Sequence, residues 1–416
     1  MVLSSVRDGI HYRMVWLYVK SNCVQSLQYP RPSYSQRISP KKKIIHDTYP
    51  EDGFIRIAFV DSWLKSSAQG SGTAVGITGL QQALHHLGHS VTRVSPASDR
   101  PRNLHLRRLL FNSRLSRLLR TQEFDFAVGF DIDGFLYSPH RQRLPFVASI
   151  KGVLAEEAHQ ERGSPRRLLM ALSYLERRNA RHADLVLATS RYCQQAIERH
   201  YGIPTDKIRI VPEGIDLSRW NKLAKETPRQ RDGRTILCVA RQYPRKRIDD
   251  LMRSLVRVRS VVPEVRTIIV GAGPEHKRLR KLKRELGLSD IVDMCGELSS
   301  DDEVARFYRQ ADIFCLPSVQ EGFGIVFLEA MANSLPIVAT TATAIPEVVP
   351  DGQAGLLVPP RDESALATAL IRLLRNEQER KRLGQFGRLH VRQYDWPNVA
   401  AQFLSQVFAG LKVSFD

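Results

Sequence analysis

Within LPSVQEGFGIVFLEAMANSLPIVAT, residues 316–340, Glu321 and Glu329 stand on either side of a glycine loop with seven residues between them. An apolar strand ending at Pro317, the loop EGFG and a helix beginning near Ile325 put Glu329 on the second helical turn. Backbone N–H groups at such a helix start, opened by Gly322 and Gly324, suit an anion such as a diphosphate. A carboxylate one turn further in can accept two hydrogen bonds from a vicinal diol such as ribose. Taken by themselves, the two glutamates are equally compatible with an acid near a helix N-terminus and a solvated helix position.

The surrounding pattern says what holds such a loop. From Phe54 onward, short continuous apolar runs (FIRIAFV, FDFAVGF, PFVASI, ADLVLATS, KIRIVP) alternate with helical stretches, the first near Ala74–Leu87. This alternation predicts a parallel sheet covered by helices on both faces. A polar stretch near Arg219–Gly233 reads as a linker, after which TILCVA, RTIIVGAG, IVDMCG, IFCLPS, PIVAT and GLLVPP resume the alternation. The predicted fold is therefore α/β, with two tandem doubly wound, Rossmann-like domains facing across a cleft formed by the C-terminal ends of both sheets. The expected divisions are a first domain over 53–218, a second over 219–395, and a closing helix within 396–416 that crosses back to the first. Residues 1–52 carry eight Lys/Arg, four Asp/Glu and no sustained period, and read as a basic extension.

The chain has 416 residues, 43% of them hydrophobic, which excludes a single small module and wholesale disorder. Five cysteines without a C-x-x-C pair argue against a disulfide scaffold or a cysteine zinc site. The net charge of +19 favours an anionic partner: nucleic acid, an acidic membrane surface or a phosphorylated substrate. The basic clusters lack interleaved aromatics for base stacking, so nucleic acid is set aside. No apolar run approaches the roughly 18 residues of a membrane span, and the N-terminus lacks the order of a signal peptide. The expectation is a cytoplasmic chain, with peripheral attachment at the inner face of a membrane as an option. Residues 100–120 hold seven arginines and no acid. Phe111, Leu115, Leu118 and Leu119 fall on one helical stripe there, opposite Arg114, Arg117 and Arg120. Such a helix either packs its leucines on the sheet or lies on anionic lipid. KRLRKLKR at 277–284 reads as a solvated helix face.

With Glu-x7-Glu on Glu321 and Glu329, the sequence resembles the retaining glycosyltransferases of family 4, which have the GT-B fold, from about Phe54 to Phe408. VARQYPRKRIDDLMRSL resembles that family's Arg-x4-Lys segment, with Arg241 and Lys246 at the cationic positions. IIVGAGP, containing Gly271, resembles its second glycine turn, and RIVPEGID its interdomain phrase. The resemblance implies a sugar transferred from a nucleotide-sugar donor, UDP- or GDP-linked, to a hydroxyl of a saccharide or lipid-linked acceptor with retention. Arg241 and Lys246, with amides around Phe323, Gly324, Ile325 and Val326, would meet the charge growing on the leaving diphosphate. Glu329 would bind the ribose and Glu321 the transferred sugar. The base would lie along Gly296, Glu297 and Leu298, and Gly70 and Gly72 would approach the phosphates. No metal and no separate cofactor is implied.

Two departures stand out. Lys151 occupies a place where many members have a histidine beside the sugar, so Lys151 could contact donor or acceptor, or face water. Ala342–Ala344 replaces a frequent glycine pair before Pro-Glu. Asp131 and Asp133 form the Asp-x-Asp that chelates a metal in another glycosyltransferase class, but here they read as strand-end acids lining the cleft. His85, His86 and His89 read as surface histidines. An epimerase or phosphorylase of the same fold is the nearest alternative.

Overall fold

The computed structural model describes residues 53–62, 72–97, 103–137, 144–226, 231–298 and 300–411. The extension 1–52 and Gly70 lie outside them. The first half runs β1 (Arg56–Val60), α1 (Gly72–His86), β2 (Ser90–Val94), α2 (Leu104–Leu118), β3 (Phe126–Phe130), β4 (Phe146–Ile150), α3 (Leu154–Gln160), α4 (Gly163–His182), β5 (Leu185–Ala188), α5 (Arg191–Tyr201) and β6 (Ile208–Ile210). The second runs α6 (Leu217–Glu226), β7 (Thr235–Val239), α7 (Ile248–Val261), β8 (Arg266–Val270), α8 (His276–Glu285), β9 (Val292–Gly296), α9 (Asp301–Gln310), β10 (Ile313–Leu316), α10 (Ile325–Ala332), β11 (Ile337–Thr340), α11 (Ile345–Val348), β12 (Gly355–Val358), α12 (Glu363–Arg375), α13 (Glu377–His390) and α14 (Trp396–Leu411).

Each half forms a six-stranded parallel sheet, in the orders β2-β1-β3-β4-β5-β6 and β12-β11-β10-β7-β8-β9. β3, β4, β10 and β11 are buried along their whole length because helices cover both faces, which is why their sequences are continuous rather than alternating. The order reverses between β1 and β3 in one sheet and between β7 and β10 in the other. Ligands of such sheets bind outside the strand ends at these reversals. In the second sheet the reversal lies between the loop that carries Arg241 and Lys246 and the loop that carries Glu321.

Two expectations need correcting. The stretch read as a linker contains α6, whose Trp220 packs on the second core with its ring edge-on to Tyr308 at 5.4 Å. Polar composition hid a short amphipathic helix. On α2, Phe111, Leu115 and Leu119 are buried as expected, but Leu106, Leu109, Leu110 and Leu118 face outward while Arg107 and Arg108 point in. The cause is electrostatic: Arg108 donates to Ser62 Oγ at 2.8 Å and lies 3.5 Å from the buried Asp133.

α14 packs against the first sheet, Phe403 meeting Phe59 and Phe126 at 6.3 and 6.4 Å. At its start, Trp396 is wedged between α1 and the turn at Gly214: a Cβ on Gly79 or Gly214 would lie 2.2 or 2.4 Å from the indole. Gly79→Ala is therefore expected to cost ~1–3 kcal/mol through overpacking, read as a lower urea midpoint, with Trp396→Phe in the same chain recovering part of it. An unchanged midpoint for Gly79→Ala would rule out this wedge.

Candidate functional site

The loop after β7 is held by Gln242, which is fully buried. Its backbone N–H donates to Ala272 O at 3.0 Å, its Nε2 to Gly271 O at 2.6 Å, and its carbonyl accepts from Glu275 N at 3.0 Å. Gly271 has φ +112°, and a Cβ there would sit 2.2 Å from Ala240 O, so only glycine permits this seam. Thus fixed, the chain presents an exposed Arg241 and then a 3-10 turn, Pro244–Lys246.

Lys246 Nζ lies 2.5 Å from Glu321 Oε1, with the two side chains 14% and 9% exposed. Two residues separated by 75 positions thus form one ion pair at the switch point. The loops carrying them are also joined through the backbone, Arg245 O accepting from Val319 N at 2.9 Å and Ser318 Oγ at 3.1 Å. On the far side, Glu321 N donates to Thr343 Oγ1 at 2.9 Å. Thr343 holds φ +55°, so the chain keeps a left-handed turn where the expected glycines are replaced, at a β-branched residue that adopts it at a cost.

Gly324, at φ +93°, starts α10. Glu329 is the one charged residue of that apolar helix, and its Oε2 accepts from Tyr308 OH at 2.7 Å. Tyr308 is fully buried, and burial beside the Glu329 carboxylate raises its pKa well above the ordinary value. Phe323 turns its ring into the core against Tyr394, at 5.6 Å, and contributes backbone only. Glu297 is exposed and Leu298 half-buried beyond the end of β9, where Gly271 N donates to Gly296 O at 2.7 Å.

The first domain closes on this loop. Gly72 begins α1, and a Cβ on it would lie 3.4 Å from Ile325 Cδ1, so the starts of α1 and α10 converge. A Cβ on Gly322 would fall 2.8 Å from Lys151 O. Gly322 O accepts from Thr189 Oγ1 at 3.1 Å, Ser190 Oγ at 2.9 Å and Cys193 Sγ at 3.3 Å. The Glu347 carboxylate accepts from Arg191 N and Tyr192 N, each at 2.8 Å, and so caps α5 from the other domain. The Lys151 ammonium does not reach Glu321; it pairs with Glu213 Oε1 at 2.8 Å and sits over the Phe130 ring. Sequence inspection missed Gln242, Tyr308, Glu213 and Glu347, whose partners are all distant in the chain.

Asp131 and Asp133 do not line the cleft as expected. Asp133 is fully buried and accepts from Ser62 N, Ser62 Oγ and Asn112 Nδ2 at 2.7–2.9 Å. Asp131 Oδ1 accepts from Lys151 N at 2.9 Å. Both acids build the strand-end turn. Among the described residues, no group of three His, Cys, Asp or Glu is placed to hold a metal ion. Burial pushes the Asp131 carboxyl up to about 6. Glu176, accepting from Leu154 N at 3.0 Å and from Tyr201 OH, is raised well above its usual range by burial and then by the charge of Asp131.

An acid with a raised pKa takes up its proton earlier in the folded state than in the unfolded one, so folding loses stability as pH rises from 3.8 through about 6. Asp131→Asn keeps an acceptor for Lys151 N and removes that loss. The variant should gain stability over the parent above pH 6, and the gain should vanish as pH falls toward 3.8. Urea unfolding across that range checks this, and parallel curves at all pH values would contradict it.

The profile for group 1 glycosyl transferases matches residues 221–390, and that for glycosyltransferase family 4 matches residues 70–219. The chain is 32% identical over 304 residues, 70% of its length, to the MMP alpha-(1->4)-mannosyltransferase of Mycolicibacterium hassiacum, 72% of which is covered. It is 36% identical over 196 residues to the phosphatidyl-myo-inositol mannosyltransferase of Mycobacterium leprae, spanning 47% of this chain and 51% of that protein. For the GDP-mannose-dependent alpha-(1-6)-phosphatidylinositol monomannoside mannosyltransferase of Mycobacterium tuberculosis the figures are 32% over 233 residues, 53% and 60%. The chain thus spans about half to three fifths of these last two. In fold it is similar to the sucrose-phosphate synthase of Thermosynechococcus elongatus (TM-score 0.72, 21% identity, 85% of this chain and 99% of that one). It is also similar to Anabaena HepE in complex with UDP and glucose (TM-score 0.63, 19% identity, 85% and 99%). With both halves of the chain matched in order and more than two thirds of a mannosyltransferase covered at that identity, the protein belongs to the family 4 glycosyltransferases and has their GT-B fold.

Proposed function

We propose that this glycosyltransferase moves a sugar from a UDP- or GDP-sugar to a hydroxyl of a saccharide or lipid-linked acceptor, with retention at the anomeric carbon and without a metal. The observation that carries the proposal is the Lys246–Glu321 pair at 2.5 Å, poised at the start of α10. A cation for the leaving diphosphate and a carboxylate for the sugar hydroxyls hold one another in place before any substrate arrives. The GDP-mannose-dependent relative makes GDP-mannose the first donor to try, and the UDP-bound neighbour makes UDP-glucose the second.

In the proposed reaction the bond from the anomeric carbon to the diphosphate oxygen breaks, and the acceptor oxygen bonds to the same face. The acceptor proton passes to the departing diphosphate. Arg241, Lys246 and the first amides of α10 stabilise the developing charge, so catalysis rests on positioning and electrostatics. Glu329, oriented by Tyr308, binds the ribose diol. No helix among the described residues is long and apolar enough to cross a membrane. The outward Leu106, Leu109 and Leu110 beside Arg114 and Arg117 support a peripheral lipid contact for a lipid-linked acceptor.

Glu329→Ala is expected to weaken nucleoside diphosphate binding by ~1.5–3 kcal/mol, and calorimetry giving the parental affinity would sink the ribose assignment. Donor consumed with no acceptor present would instead favour an epimerase. Transfer should also continue in excess chelator; activity lost there and restored by manganese would refute the metal-free reading.

A further inference from the structure

Next to the Lys246–Glu321 pair, both domains line one cavity of about 380 Å³. Gln160 and Arg162, at the end of α3, form its first-domain wall. Pro244 and Val319 form its floor, the first opening the turn that ends at Lys246 and the second lying two residues before Glu321. The cavity is therefore built from the same two loops that carry the ion pair. α3 connects it to the cleft as well, since Glu157, one turn before Gln160, lies 3.6 Å from Arg245.

Four arginines line this space, Arg162, Arg247, Arg278 and Arg361, against two acids, Asp249 and Glu275. Both acids are already matched. Asp249 lies 3.5 Å from Arg247 and 3.3 Å from Arg278, and Glu275 is hydrogen-bonded to Arg278. Arg162 and Arg361 make no ion pair or side-chain hydrogen bond among the described residues, so two positive charges, one from each domain, face a shared space without a counter-charge. Among the described residues, two of the five non-glycine residues with positive φ are cavity arginines, Arg247 at +50° and Arg361 at +65°.

Like charges brought together by domain closure repel unless an anion lies between them, and the planar guanidinium fork matches phosphate oxygens. We propose that this cavity binds a phosphate monoester or diester carried by the acceptor. The inference rests on the glycosyltransfer reading for the word acceptor. The donor diphosphate is assigned to Arg241, Lys246 and the start of α10, whereas Arg162 belongs to the first domain. A phosphorylated acceptor gripped here by both domains would keep its hydroxyl side toward Glu321 and would also draw the domains together.

The test uses the full chain saturated with GDP or UDP, which occupies the diphosphate pocket, and titrates inorganic phosphate by calorimetry. Arg162→Gln and Arg361→Gln should each weaken phosphate binding about tenfold, the scale of one hydrogen bond to a charged group. The double variant Lys283→Gln/Arg284→Gln, on α8 and outside the cavity lining, should change it less than about twofold, as expected for more distant charges screened by salt. Two further arms separate the sources of the phosphate: soluble glycerol 3-phosphate, and phosphatidylcholine vesicles doped with phosphatidylglycerol. Loss confined to glycerol 3-phosphate assigns a soluble phosphorylated acceptor, and loss of vesicle association beyond that of the control assigns a lipid headgroup. Phosphate affinity unchanged in both arginine variants, or lowered equally by the control, overturns the proposal. Nucleoside diphosphate binding that is absent from the parent protein overturns the transferase reading instead, and the phosphate titration distinguishes the two failures.

Discussion

The carbonyl of Gly322 joins the two sheets. It accepts from three side chains of the first domain at 2.9–3.3 Å, while its Cα packs so close to Lys151 O that a side chain could not fit. Each such bond is worth about 0.5–1.5 kcal/mol net. Their larger effect is geometric, because Gly322 sits between Glu321 and Gly324. Fixing its carbonyl fixes the ion pair on one side and the helix start on the other. Glu347 adds a carboxylate to the same seam by capping α5, so the loop is held by neutral donors on one flank and by a helix terminus on the next.

Beneath that seam the first domain commits several ionisable groups to structure. Asp133 is surrounded by Ser62, Asn112 and Arg108, and Asp131 and Glu176 hold the turn that carries Lys151 and the start of α3. Burying acids is costly unless they are neutral or well paired. Asp133 is well paired, and burial raises the pKa of Asp131 and Glu176, so each gives up its proton less readily than an exposed carboxyl. The second domain brings to the same cleft an exposed Arg241 and the Lys246–Glu321 ion pair.

Much of this was legible in the sequence because it depends on local pattern. The buried strands β3 and β10 are continuous apolar runs, and the glycines around Glu321 announce a strand-to-helix turn. The order of elements placed Lys246 and Glu321 at one crevice without showing that they touch. What escaped was set by distant partners. Glu213 and Tyr308 look like an ordinary loop acid and a helix aromatic until Lys151 and Glu329 are placed beside them. α2 misled because buried Arg108 answers to Asp133 rather than to hydrophobic periodicity, and α6 because the mostly polar composition of its ten residues conceals Trp220.

Lys151 and Thr343 stand where the family resemblance led to a histidine and a glycine, and each has a partner of its own. A lysine paired with a buried Glu213, whose second oxygen has no hydrogen-bond partner among the described residues, forms a charged corner beside the Gly322 loop. A neutral histidine there would place no fixed positive charge opposite Glu213. Thr343 keeps the left-handed turn with a hydroxyl that accepts from Glu321 N, so the turn is tied directly to the residue that pairs with Lys246. Both residues thus bear on the Gly322 loop, Lys151 from the first domain and Thr343 from the second. On the proposed function, Arg241, Lys246 and the start of α10 serve the leaving group, and selectivity for sugar and acceptor is to be sought around Lys151 and Thr343.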